Sequence, residues 1–400
     1  MSFFLSSAFA AILQFAAIAL GVPVAVLLSE ILAASHSFPA AVASRKRASV
    51  GIVIPAHDEG AGVEATIANV RSQLSEGDRL IVVADNCSDD TADIARAAGA
   101  ETIERRDKTK IGKGFALDFG VRHLAADPTE IVIFIDADCL LEPNSVVRLA
   151  EQVSHTGRPA QARYLMTAPD GSPLSYQISE FAWRVKNWVR PLGLFNLSLP
   201  CQMTGAGMAL PFAIVRKLDF ANGELAEDLK LGIDLSRSGH PSLFCPDAVV
   251  VSRFAGTSAG RKTQQTRWEQ GHLRLLLSVV REFLLPALSR RDVPTLALIL
   301  DLSVPPIMLL STLLFFVFVC SIGAALLGGS RVPLYISLAS IMGLAASLAL
   351  AWRGWGRDVL TPKALAALPG AIAAKLQMYL RILTGRGAKS WIRTDRDNAG

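Results

Sequence analysis

Three runs without a charged residue, Met1 to Ser29, Leu302 to Ser330 and Val332 to Trp352, constrain this chain more than any other feature. Each is long enough to cross the hydrocarbon core of a bilayer, for which roughly 20 apolar residues in a helix suffice. The remainder is different in kind. The 400 residues are 51% hydrophobic yet 19% charged, so a membrane part is joined to a soluble part.

The first run has no basic region before it and Arg45-Lys46-Arg47 after it, the pattern of a retained anchor and not of a cleaved signal peptide. Basic residues flank one side of the runs: Arg45 to Arg47, then Arg290 and Arg291, then Arg353, Arg357 and Lys363. The hairpin between the second and third runs holds only Arg331. The positive-inside rule then puts residues 36–293 and the C-terminal tail in the cytoplasm of a multi-pass protein of a bacterial-type inner (plasma) membrane. Residues 364–383 are apolar but carry Lys375 and Arg381, and a basic tail follows, so an interfacial helix is expected there and not a fourth span. Residues 175–195 interleave Tyr176, Phe181, Trp183, Trp188 and Phe195 with Arg184, Lys186 and Arg190. That pattern suits a helix lying on the bilayer, or an amphipathic surface helix of the soluble part. Asp301, near the start of the second run, is a functional candidate or a headgroup contact.

The expected organisation is an anchor at 1–34, a cytoplasmic domain at 48–275, an interfacial helix at 276–293, two transmembrane helices within 295–352, and an interfacial helix with a basic tail at 364–400. A net charge of only +5, with no basic stripe interleaved with aromatics, excludes an ordinary nucleic-acid binder. The five cysteines are scattered without metal-finger spacing and read as free thiols.

Within the soluble part, apolar strands alternate with helical patterns. Strands are predicted at 49–55, 79–85, 101–106 and 131–138, with helices at about 61–74, 89–98, 113–125 and 143–154. Near-continuous apolar strands separated by helices imply an α/β fold with a parallel sheet covered on both faces. Ligands bind such sheets beyond the carboxyl ends of the strands. Three acidic clusters fall there: Pro55-Ala56-His57-Asp58-Glu59, then Asp85 to Asp90, then Asp136-Ala137-Asp138. Together they describe a site short of positive charge, which a divalent metal and a phosphate-bearing ligand would balance. Ser88, Asp89 and Asp90 serve equally well as helix caps, and Asp58 and Glu59 as partners of a helix dipole. Gly112-Lys113-Gly114 precedes a helix and would let a backbone and an ammonium meet a phosphate, although it lacks P-loop spacing.

The motifs VGIVIPAHDE, VVADNCSDDT, IGKG and IFIDAD, in this order, resemble glycosyltransferase family 2 over about residues 48–275. Ala226-Glu227-Asp228 and Gln264-Gln265-Thr266-Arg267-Trp268 resemble the ED pair and Q(Q/R)xRW motif of its membrane-bound branch. The resemblance implies a Rossmann-like GT-A fold, a nucleotide-diphosphate sugar as donor, inversion at the anomeric carbon, and Mg2+ or Mn2+. It implies that Pro55, Ala56, Asp58 and Glu59 rim the nucleotide pocket and that Asp85 meets the uracil-ribose end. It further implies that Asp138, with Asp136, holds the metal, that Lys113 supports the diphosphate, and that Asp228, beside Glu227, is the general base. Gln264, Arg267 and Trp268 would hold diphosphate and acceptor. Cys201 to Gly207, containing Gly205, resembles the turn before the acceptor site but departs from the aromatic-Cys-Gly form of cellulose synthases.

The implied activity is transfer of a hexose from a UDP-sugar to a membrane-held acceptor, either a lipid-linked saccharide or a growing polysaccharide, in exopolysaccharide or glycolipid assembly, with other proteins of a polysaccharide complex as partners. Ceramide-glucosyltransferase-like lipid modification and processive polymerisation are the near alternatives. A sugar nucleotidyltransferase would need neither Asp228, QQTRW nor anchors. A non-enzymatic scaffold would not need the acidic set.

Overall fold

The computed structural model describes residues 2–36, 47–169, 171–221 and 226–362. Arg45, Lys46, Lys363, the apolar stretch 364–383 and the basic tail lie outside them. The chain opens with α1 (Ser2–Ala34) and then enters an alternating region: β1 (Val50–Ala56), α2 (Gly60–Arg71), β2 (Arg79–Asp85), α3 (Thr91–Ala97), β3 (Glu101–Arg105), α4 (Lys113–Leu124) and β4 (Ile131–Phe134). β5 (Leu140–Leu141), α5 (Ser145–Thr156) and β6 (Ala160–Thr167) follow. Next come α6 (Leu174–Arg184), a π-helical turn (Val185–Val189) and α7 (Arg190–Asn196). β7 (Met208–Pro211), α8 (Phe212–Val215), α9 (Glu227–Arg237) and β8 (Leu243–Arg253) return to the sheet. α10 (Ser258–Arg290), α11 (Val293–Leu302), α12 (Ile307–Leu326) and α13 (Val332–Trp355) complete the described chain.

Two compact units form. The first is an eight-stranded sheet with its helices, from the described parts of Phe38–Gly171 and Ser198–Gly271. Its strand order is β3-β2-β1-β4-β7-β6-β8-β5. β3, β2, β1 and β4 run parallel, as their apolar sequences predict, whereas β7 pairs antiparallel with β4 and makes the sheet mixed. Val53, Ile81, Val83, Val132 and Phe134 are fully buried against Leu117, Val121 and Leu124 of α4. Burying each such side chain contributes about 1.5–3 kcal/mol, which is why these strands sit at the centre. β1 lies between β2 and β4, and the chain crosses from one side of it to the other after β3. The order therefore reverses at β1, and the crevice beyond β1 and β4 is the natural ligand position of such a sheet.

One expectation needs correction here. β4 ends at Phe134, so Asp136 and Asp138 are not strand residues as the predicted 131–138 run would have them. Ile135 still donates to Val53 O, and then Cys139 N turns back to Asp136 O at 3.1 Å. The turn places both carboxylates beyond the sheet edge, where neither side chain has to enter the core.

The second unit joins the described residues of Met1–Ser37 and His272–Ala388 to Ser172–Leu197. The 175–195 stretch, continuous in sequence with the soluble part, thus packs among the apolar helices: Phe181, Val185 and Val189 share a core with Val24, Leu27, Ile31, Leu310 and Leu344. Among the described residues, three helices, Ala10–Ala34, Ile307–Leu326 and Val332–Trp355, are long and apolar enough to cross a membrane. The second is shorter than the uncharged run from Leu302, because Pro305 and Pro306 separate it from α11. The expected helix at 276–293 is not separate either. α10 runs unbroken through Gly271 to Arg290, since an interior glycine costs a helix only about 1 kcal/mol.

Arg190 is the polar centre of this unit. Its Nε donates to Glu30 Oε2 at 2.7 Å and its Nη2 to Asp301 Oδ1 at 2.6 Å and to the Asp301 carbonyl. All three residues are buried. Gly193, one turn on, lets α7 approach α1: a Cβ there would lie 2.0 Å from Glu30 O.

Candidate active site

The crevice beyond β1 and β4 is a pocket lined by strand-end residues. Pro55, Ala56, His57 and Glu59 come from the β1–α2 loop, and Asp85 and Asn86 from the end of β2. Ile111, Gly112, Lys113 and Ala116 come from the start of α4, Asp136 to Asp138 from the turn after β4, and Arg267 from α10. Of the residues singled out in the sequence, Pro55, Ala56, Glu59, Asp85, Lys113, Asp136, Asp138 and Arg267 line it together.

Each wall has a local cause. Thr66 Oγ1, buried on α2, donates to Ala137 O at 2.8 Å and pins the acidic turn from below. Lys113, the first residue of α4, forms an ion pair with Asp136 Oδ1 and donates to Gly205 O at 3.2 Å. Burial alone would depress the Lys113 ammonium, but Asp136, Glu227 and Asp228 outweigh it and hold its pKa above the ordinary value. Arg267 is lowered by burial, with Glu227, Asp136 and Asp228 acting in the opposite sense. Burial first, then the Asp228 charge, push Glu227 up to about 7.

These groups share one half-buried neighbourhood. Four carboxylates, Asp136, Asp138, Glu227 and Asp228, gather around two cations, Lys113 and Arg267, so the cluster is short of positive charge. A hard divalent cation would offset that deficit, and the ligand atoms of Asp136, Asp138 and Cys139 lie within 4.8 Å of one another. Burial and the Asp136 charge hold the Cys139 thiol far above its ordinary range, so this group offers two oxygen ligands and a protonated thiol.

Asp85 has a partner that the sequence reading did not single out. Arg105 Nη1, at the end of β3, reaches Asp85 Oδ1 at 2.6 Å, and its Nη2 donates to Lys110 O at 2.8 Å. Burial raises Asp85 above its ordinary pKa even so, with Arg105 pulling it back down. The parallel register sets Asp85 level with Arg105, a pairing hidden within the ETIERR run. His57, within the first acidic cluster of the sequence, also lines the pocket, and its ring Nδ1 lies 2.7 Å from Asp85 O.

Other residues fall outside the lining. Asp58 turns away from the pocket: its carboxylate accepts from Ser88 N at 2.6 Å and from Asp89 N at 3.3 Å, tying two loops together. Asp89 in turn accepts from Gly60 N and Thr91 N. Gly205 stands at the rim with a φ of +91°, and a Cβ there would lie 3.2 Å from Asp228 Oδ2 and 3.5 Å from Lys113 Nζ. Glycine suits both the backbone and the space. Glu227 and Asp228 open α9, where the helix dipole favours acids. Gln264, Arg267 and Trp268 share one face of α10; Gln264 is buried with Oε1 lacking a partner, and Trp268 is half-buried.

A family model described as Glycosyltransferase like family 2 matches residues 47–271. The chain belongs to this family. Two curated relatives of this family 2 glycosyltransferase are a 4,4'-diaponeurosporenoate glycosyltransferase of Staphylococcus haemolyticus and the probable glycosyltransferase YdaM of Bacillus subtilis. The first is 27% identical over 233 residues, covering 55% of this chain and 60% of the relative. The second is 26% identical over 251 residues, covering 58% and 57%. The match thus spans under two thirds of the length of either. Among solved structures, a mannosyltransferase from Pyrobaculum calidifontis in complex with GDP-Man and Mn2+ superposes with a TM-score of 0.56 at 16% identity, covering 93% of this chain and 95% of its own. That likeness confirms the GT-A architecture.

Proposed function

We propose that this family 2 glycosyltransferase transfers a hexose from a UDP-sugar to a lipid-linked acceptor held at the membrane, with inversion and with Mg2+ or Mn2+. One observation carries the reading: the switch-point crevice collects Asp85, Lys113, Asp136, Asp138 and Arg267, and its rim brings Gly205 against Asp228. One solved neighbour holds GDP-Man and Mn2+, which supports a sugar-nucleotide donor and the metal, though not the uridine base. The three apolar helices support a membrane-held acceptor and a multi-pass arrangement with the catalytic unit in the cytoplasm.

In this reading Asp85, held by Arg105, positions the nucleoside. Asp136 and Asp138 would hold the metal. When bound, it neutralises the charge that develops on the departing diphosphate. Lys113 and Arg267 add fixed positive charge to the same oxygens. Asp228 takes the proton of the attacking acceptor hydroxyl from the side opposite the leaving group. Trp268 offers a flat apolar face to a sugar ring. Three spans among the described residues, or four were 364–383 to cross, are few for a pore-forming polymerase, which favours one or a few sugars on a lipid over a long polymer.

Membranes containing the protein, supplied in turn with radiolabelled UDP- and GDP-hexoses, test the proposal. Label from a UDP-hexose should enter a lipid-extractable product of small, defined size. Label appearing in a long polymer, or only from GDP-hexoses, would sink this assignment.

A further inference from the structure

Behind the acidic turn lies a buried chain of hydroxyls that the proposed chemistry does not use. Ser252, near the end of β8, is buried in the otherwise apolar run Ala248-Val249-Val250-Val251. Its Oγ donates to Asp138 Oδ2 at 2.7 Å. Tyr164, on β6 and also buried, hydrogen-bonds Ser252 through its hydroxyl and stands 4.0 Å from Cys139 Sγ. Ser252 Oγ thus stands between the Tyr164 hydroxyl and one carboxylate oxygen of Asp138.

The topology explains the placement. β5 pairs antiparallel with β8, Leu140 against Val251 and Leu141 against Val250, which brings Ser252 level with Cys139, next to Asp138. β6 pairs parallel with β8, Tyr164 against Val250 and Met166 against Ser252. Two strands from distant parts of the chain thus converge on Asp138. A buried serine hydroxyl could be satisfied by any carbonyl; here that of Ser252 is spent on the carboxylate, with the Tyr164 hydroxyl behind it.

We propose that Ser252, backed by Tyr164, is a positioning residue for the divalent metal, fixing the Asp138 carboxylate in the orientation that binds the ion. The inference rests on the metal assignment of the proposed function. Partners of this kind typically alter metal affinity by about 10–100-fold when removed. Ser252→Ala deletes one oxygen and Tyr164→Phe another, both with little change of volume.

The test is a titration of the purified full-length protein, in detergent with saturating UDP, by Mn2+ electron paramagnetic resonance. Ser252→Ala should weaken Mn2+ binding by about tenfold or more, and Tyr164→Phe by a smaller factor. In turnover, the Mn2+ concentration for half-maximal rate should rise in the same ratio, while kcat at saturating Mn2+ stays within a few-fold. UDP binding without metal should not change. Mn2+ affinity within twofold of wild type in a folded Ser252→Ala protein would overturn the inference; should that variant fail to fold, an unchanged affinity in Tyr164→Phe would do the same. Asp138→Asn separates the two levels. If it abolishes Mn2+ binding while the hydroxyl variants do not, only the positioning role fails. If it too leaves Mn2+ affinity unchanged, the metal assignment fails and this inference with it.

Discussion

Lys113 and Arg190 are each the cation of an acidic cluster, but Arg190 keeps 7% of its side-chain surface and Lys113 keeps 20%. Arg190 spends its donors on Glu30 and Asp301, which are as buried as it is. Lys113 likewise faces more carboxylates than it can neutralise but remains at the edge of a pocket. The first arrangement is closed. The second is open, so a divalent metal could reach it and offset its excess negative charge. Exposure, more than charge count or residue type, separates a structural cluster from a site.

The comparison can be broken in order of effect. Asp228→Asn should lower transfer by about 10²–10⁴-fold, the usual worth of a general base, with UDP binding nearly intact. A parallel loss of UDP binding would mean that Asp228 holds the donor instead. Arg190→Ala should cost about 3–5 kcal/mol of stability by stranding two buried carboxylates, read as a fall in the thermal midpoint in detergent. Replacing Glu30, Arg190 and Asp301 together by Leu, Met and Leu should recover most of that loss, since a buried ion cluster contributes little net stability. If the triple variant stays as unstable as the single one, the closed cluster is not merely structural.

Lys113→Ala should raise the donor KM by about 10–100-fold, the worth of a charge-assisted contact, and do little to the thermal midpoint. The smallest effect concerns pH. Glu227 has a folded pKa raised to about 7, so between its ordinary value and 7 the folded protein binds more protons than the unfolded chain. Its contribution to stability is therefore complete at low pH and is lost as pH rises to about 7, by at most about 1.4 kcal/mol per pH unit. Glu227→Gln should remove that slope from thermal melts of the ligand-free protein; an unchanged slope would assign it to another group.

The strand ends and their acids were readable in the sequence because parallel strands are apolar along their whole length. β1, β2 and β3 follow the prediction closely. The second half of the sheet was hidden for a physical reason. β6 carries Gln161 and Arg163 inside a strand, and Gln161 is buried because its amide serves the Thr204 to Ala206 loop. A polar residue satisfied by a distant backbone leaves no trace in local periodicity. The same holds for Arg105 with Asp85, Ser252 with Asp138, and Arg190 with Glu30 and Asp301. Asp301 stood out as an acid beside an apolar run, but its partner lies 111 positions away in the chain. Asp58 misled in the opposite direction: its motif marks a pocket rim, yet its carboxylate is committed to the Ser88–Asp89 backbone.

The central claim is that the crevice beyond β1 and β4 is the metal-dependent sugar-nucleotide site. The most direct measurement compares transfer of labelled hexose from UDP-hexose by membranes carrying the wild-type protein or Asp138→Asn, with Mn2+ and with chelator. The account predicts transfer only by the wild-type protein with Mn2+ present. Transfer by Asp138→Asn at the wild-type rate would contradict it.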